Sequence, residues 1–270
     1  MSRYAVAIET YRLNLKLKNK NVLITGGSKG IGLATAEAFL REGAKVSIVA
    51  RNDTNLKAAV TSLKLLTKRT PKHFVADLSK SSERKKLFKV LPSVDILINN
   101  AGAIPGGGLF SLKLKDWKSS WDLKVFGYIH LCQLYLKNMK KMKAGTIVNI
   151  IGMGGRAFRS DYICGAAGNS ALIAFTNALG YETSSYNVRV FGINPALTLT
   201  DRMESLLRTK ARATYGDESN WTKIVDEASM PFGRITDPSE VANMVVLLSS
   251  GKASYLSGTV LDFDGGQQWK

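Results

Sequence analysis

With 270 residues, 45% of them hydrophobic and 22% charged, the chain has globular composition and enough length for one large α/β domain, and no apolar run nears the ~18 residues of a membrane span. Its 38 Lys and Arg against 21 Asp and Glu give a net charge of +17, a field that draws anions. The lysines fall on amphipathic stretches such as 63–72, 83–91 and 136–145, with no aromatic-basic interleaving or zinc-ligand spacing, so a nucleic-acid partner is not expected.

The opening MSRYAVAIETYR lacks the apolar centre of a secretory signal; residues 1–12 read as a loosely held arm, with an organelle presequence as the alternative. Cys132 and Cys164 are too few for a disulfide framework or a metal cluster, which suits a cytoplasmic setting. Residues 13–270 then form one domain. NVLITGG (21–27) is an apolar strand running into glycines, KGIGLATAEAFLREG (29–43) a helix stopped by Gly43, and AKVSIVARN (44–52) a second strand followed by a helix to about Lys68. Further strands are expected at 72–79, 94–102, 145–152, 188–195 and 259–266, with helices at 82–91, 115–140, 162–185 and 238–249. Alternating helices and short apolar strands predict a doubly wound Rossmann fold: a seven-stranded parallel sheet with helices on both faces.

TGGSKGIG (25–32) lies between the first strand and the first helix. Glycines there let the backbone approach a pyrophosphate, which the free N–H groups and positive dipole of the helix start would hold. Together with NNAG (99–102), ADLS (76–79), INPALTLTDRM (193–203) and the stretch 231–266, this loop resembles the short-chain dehydrogenases/reductases over residues ~15 to 266. The resemblance implies a dinucleotide held by Gly26, Ser28, Lys29, Gly30, Ile31 and Gly32, by Arg51 and Asn52, by Asp77 and Leu78, by Asn100, Ala101 and Gly102, and by Pro195 and Thr200. The acidic residue that would grip an NAD ribose aligns with Ala50, and the neighbouring cations Arg51 and Lys29 match a 2′-phosphate, so NADP(H) is expected over NAD(H).

Members of the resembled family work with an asparagine, a serine, a tyrosine and, four residues after the tyrosine, a lysine. Aligned through ALIAFTNALG, these positions hold Lys124, Gly152, Gly165 and Asn169. Tyr162 is the nearest tyrosine, but the residue four further on is Ala166. Tyr162 stands one helical turn before Gly165, so its phenol is placed to lean into the vacated space. Lys124 would supply a cation that lowers the phenol's pKa, which makes a substitute proton-donor pair. Cys164 reads as a packed residue and His130 as an ordinary helix histidine, while Arg156, Arg159 and Asp161 are candidates for an anionic substrate. The run Gly165-Ala166-Ala167-Gly168 calls either for close helix packing or for a bulky occupant.

Two functions remain open at this stage. One is an NADP(H)-dependent oxidoreductase with a non-standard proton donor, acting on a small molecule, anionic if Arg156 and Arg159 bind it, through a pocket bordered by 152–162 and a substrate loop at about 200–230. The other is a catalytically inactive NADP(H)-binding protein serving as sensor or subunit partner. No metal is expected, and the resemblance implies a homodimer or homotetramer.

Overall fold

The computed structural model describes residues 14–225 and 230–269; the N-terminal arm lies outside the described residues, as does part of the expected substrate loop. Seven strands alternate with helices: β1 (Asn21–Thr25), α1 (Gly30–Arg41), β2 (Lys45–Ala50), α2 (Asp53–Thr67), β3 (Lys72–Val75), α3 (Ser81–Val90), β4 (Ile96–Asn99), α4 (Leu114–Leu123), α5 (Val125–Met142), β5 (Gly145–Ile150), α6 (Ile163–Ser184), β6 (Val188–Pro195), α7 (Asp201–Tyr215), α8 (Pro238–Ser249) and β7 (Thr259–Phe263). They form one parallel sheet in the order β3-β2-β1-β4-β5-β6-β7, the expected architecture.

Successive strand residues point to opposite faces, and the two cores divide accordingly. Val22, Ile24, Ile96, Ile98, Val148 and Ile150 pack with α1, α2 and α8 on one side. Leu23, Leu97 and Ile147 pack with α3 and α5 on the other. Burial on both faces is why the strands read as continuous apolar runs.

The helix expected over 115–140 breaks at Lys124. No proline lies there. A buried guanidinium intrudes instead: Arg84 donates through Nη1 to the carbonyls of Asp122 (3.0 Å) and Leu78 (2.5 Å), and through Nε to His130 Nδ1 (2.9 Å). A side chain inserted against the carbonyl ladder is a recognised cause of such breaks.

Candidate functional site

The ends of β1 and β4 meet where the strand order reverses, the crevice in which open parallel sheets take ligands. Gly26 (φ +67°) and Gly30 (φ +53°) turn the loop through left-handed conformations. A Cβ on Gly32 would stand 2.3 Å from the Gly26 carbonyl oxygen, so only glycine lets α1 sit this close. Lys29 begins α1 without a side-chain cap, which leaves first-turn N–H groups open to an anion. Ser28 is half-buried beside it, and Ile31 packs partly on the core.

Thr25 stitches this loop to β4, a role the sequence did not reveal. Its hydroxyl accepts the N–H groups of Asn100 (2.9 Å) and Ala101 (3.0 Å). The Asn100 side chain donates to the carbonyls of Thr25 (3.0 Å) and Gly26 (3.2 Å), so it braces the loop. Deeper in, Asn99 donates to Asn149 (2.9 Å), which donates to Thr176 (2.9 Å), tying β4, β5 and α6 through a buried polar chain.

Beyond the end of β2 Arg51 is exposed, and Asn52 accepts the Asn55 N–H (2.8 Å) as the cap of α2. Burial opposes the charge on Asp77, but hydrogen bonds from Ser79 and the cations Arg51 and Lys80 hold its carboxyl below the usual range. Leu78 is buried beside it. Lys29 lies 3.6 Å from Asp201 with both side chains exposed, a pair worth ~0–1 kcal/mol and open to competition by a phosphate. Pro195 is buried at the end of β6. Thr200 accepts the Met203 N–H (3.2 Å) as the cap of α7, and its methyl would lie 2.9 Å from a Cβ on Gly30.

The centre brings Lys124, Gly152, Tyr162, Gly165 and Asn169 together. Lys124 runs past Gly102, where a Cβ would meet its Cδ at 2.8 Å, and donates to the Ile151 carbonyl at 2.6 Å. Part of the residue still faces the cleft, yet burial, followed by the charge of Arg202, pushes its pKa down to about 8. The Tyr162 ring fills the place of the missing side chain: a Cβ on Gly165 would lie 2.0 Å from its Cζ and 2.6 Å from its hydroxyl oxygen. Asn169 is 2% exposed, and its Oδ1 has no hydrogen-bond partner among the described residues. Its amide nitrogen lies 3.4 Å from where a Gly152 Cβ would be. A buried acceptor without a donor suits a ligand hydroxyl, and with the open amides of the glycine loop it fits a dinucleotide.

The small-residue run therefore answers to two neighbours. Gly165 admits Tyr162, and Gly168 admits Trp121 and Val125, whose atoms would lie 3.1 and 3.2 Å from a Cβ there. The electrostatics differ from expectation. Burial pushes the Tyr162 phenol up, and the cation that counters it is Arg202, from the first turn of α7. Arg202 donates to the carbonyls of Gly102 (3.3 Å) and Ile104 (2.9 Å), spanning from α7 to the segment after β4. Arg156 and Arg159, considered for anion binding, are matched within the chain: Arg156 lies 3.5 Å from Asp262, and Arg159 grips Asp161 at 2.6 Å. Cys164 is buried, and burial raises its thiol pKa.

The short chain dehydrogenase family profile matches residues 20–211. The chain belongs to the short-chain dehydrogenase family. It is 31% identical over 261 residues to the 3-oxoacyl-acyl-carrier-protein reductase FabG of Chlamydia muridarum, covering 94% of this chain and 99% of that protein. It is 27% identical to the 2,3-dihydro-2,3-dihydroxybenzoate dehydrogenase of Bacillus subtilis over 93% of this chain and 96% of that one. Among solved structures, the L-sorbose reductase of Gluconobacter frateurii complexed with NADPH and L-sorbose superimposes with a TM-score of 0.87 at 27% identity, covering 96% of this chain and 100% of that one. In this short-chain dehydrogenase the strand-end crevice and the glycine loop lie at one end of the strands of one continuous sheet. No described helix is long and apolar enough to cross a membrane, and no metal-ligating cluster occurs among the described residues.

Proposed function

We propose that this short-chain dehydrogenase is an NADP(H)-dependent oxidoreductase in which Tyr162 and Lys124 take over from the family's tyrosine and lysine. The observation that carries the reading is the Tyr162 phenol seated over Gly165, with Lys124 and the unpaired Asn169 Oδ1 beside the same strand end. The loop amides behind Gly26 and Gly30 hold the pyrophosphate, and Arg51 with Lys29 holds the 2′-phosphate. Asn169 Oδ1, which lacks a partner among the described residues, and Lys124 would hold a ribose hydroxyl of the dinucleotide. The bound dinucleotide supplies the hydride. Tyr162 donates the proton to the substrate's carbonyl oxygen, and the Arg202 and Lys124 cations stabilise the negative charge left behind.

The two buried, free cysteines fit a cytoplasmic protein. Exposed Leu114 on α4, Phe126 on α5 and Tyr181 on α6 suit helix packing between copies in a homodimer or homotetramer.

A second reading, an inactive NADP(H)-binding protein, draws on two observations: Lys124 donates to the Ile151 carbonyl, and burial raises the pKa of the Tyr162 phenol, which makes it a weaker acid. Following NADPH absorbance at ~340 nm over a carbonyl panel separates the two. Turnover that falls ~10²-fold or more in Tyr162→Phe supports the enzyme. NADPH binding without any turnover supports the inactive reading.

A further inference from the structure

The charged groups around the centre do not balance. Arg202 uses two of its five N–H donors, one to Gly102 and one to Ile104, and forms no ion pair among the described residues. Lys124 likewise uses one donor, on Ile151, and has no carboxylate partner among the described residues. The carboxylates that border the site are matched elsewhere: Asp201 lies by Lys29, Asp161 by Arg159 and Asp262 by Arg156. Both cations bear on the same place: Arg202 donates to the Gly102 carbonyl at 3.3 Å, and the Lys124 Cδ would lie 2.8 Å from a Cβ on that same Gly102. A desolvated ammonium beside a guanidinium, with no counter-ion, is unfavourable unless an anion arrives to join them.

We infer that Arg202 and Lys124 form the seat for a carboxylate on the substrate, so that the compound reduced is an oxo acid. The inference rests on the redox reading above and deepens it. Arg202 has donors left to meet both oxygens of a planar carboxylate, the geometry in which arginine binds such groups most tightly. The seat also holds the substrate on the Tyr162 side of the cleft, which leaves its carbonyl within reach of the phenol.

The test uses the full chain loaded with NADP and compares isosteric pairs by calorimetric titration: oxamate against oxamide, and benzoate against benzamide, with inorganic phosphate as a third arm. The carboxylates are expected to bind ~10- to 100-fold tighter than the amides and tighter than phosphate. Arg202→Gln should erase that preference, and Arg202→Lys should restore part of it. NADPH affinity, read by fluorescence, should stay within about twofold in both variants, a control for folding and cofactor binding. Equal binding of acid and amide, no measurable carboxylate binding, or tighter phosphate binding overturns the seat. A fall in NADPH affinity with the carboxylate preference intact assigns Arg202 to the cofactor and also overturns it. Carboxylate preference without turnover of any oxo acid keeps the seat and removes the redox reading. Turnover that ignores the carboxylate does the reverse.

Discussion

The Tyr162 ring stands in the space that a side chain on Gly165 would need, with its Cζ 2.0 Å from the position of a Cβ there. Alanine at 165 therefore collides with the phenol, and the ring has to swing out of the cleft. Gly165→Ala should cut turnover as deeply as Tyr162→Phe, ~10²-fold or more, while alanine's helix preference of ~1 kcal/mol over glycine limits any loss of stability. Steady-state rates and thermal melts on both variants check this. A Gly165→Ala protein of normal activity would show that the phenol takes no part.

The Lys124 ammonium titrates near pH 8, below the ordinary 10.5, chiefly through burial and then through Arg202. Arg202 is the charge that faces it, and the Ile151 carbonyl is its acceptor. Activity that depends on the cation should fall as pH rises through about 8, and Arg202→Gln should move that limb upward. The stability effect has the opposite slope. Between about 8 and 10.5 the unfolded chain binds more protons at this site, so burying Lys124 costs least above 10.5, and the cost appears in full as pH falls below 8. The melting-temperature gain of Lys124→Met over wild type should accordingly shrink from pH 7 to pH 10. A pH-independent difference would place the ammonium in water.

The fold was legible because its signals are local. Apolar strands, glycine punctuation and a helix-start loop act through residues adjacent in sequence. The gap at Gly165 was legible for the same reason, with its occupant one turn away. Arg84 and Arg202 were not legible: each sits in a basic helix among similar residues, and its role depends on carbonyls far along the chain, Asp122 for Arg84 and Gly102 for Arg202. The Asn99–Asn149–Thr176 chain was hidden likewise, since its partners meet only once β4 and β5 pair and α6 packs on them. The pairing of Arg156 with Asp262 was hidden because that partner lies about a hundred residues away in sequence, whereas Asp161, two residues from Arg159, was in view beside it.

His130 must stay neutral to accept from Arg84. Burial, then Arg84 and Lys85, lowers its pKa below 6.5. The stabilisation is present above the unfolded value and is lost as pH falls through the folded one, so melting temperature should drop more steeply below pH 6.5 than carboxylates alone account for. His130→Gln keeps an acceptor for Arg84 and removes the titration. Its melting curve should flatten below about pH 6.5; an unchanged acid limb would assign the loss to another group.

Arg51 should decide between the two dinucleotides. It is exposed beyond β2 and forms no ion pair among those described, although its charge acts on the Asp77 carboxyl, whereas Lys29 is shared with Asp201. An arginine on a phosphate contributes charge-assisted hydrogen bonds of ~1.5–3 kcal/mol. Arg51→Ala should weaken NADPH about 10- to 100-fold and leave NADH within about threefold. Asp201→Asn frees Lys29 and should tighten NADPH modestly, by less than about fivefold, because the exposed pair it breaks is weak. Titration of the dinucleotide fluorescence at two salt concentrations reads both effects, with the NADPH advantage shrinking at the higher salt. If both dinucleotides weaken equally in Arg51→Ala, the arginine supports the loop as a whole and selectivity lies elsewhere.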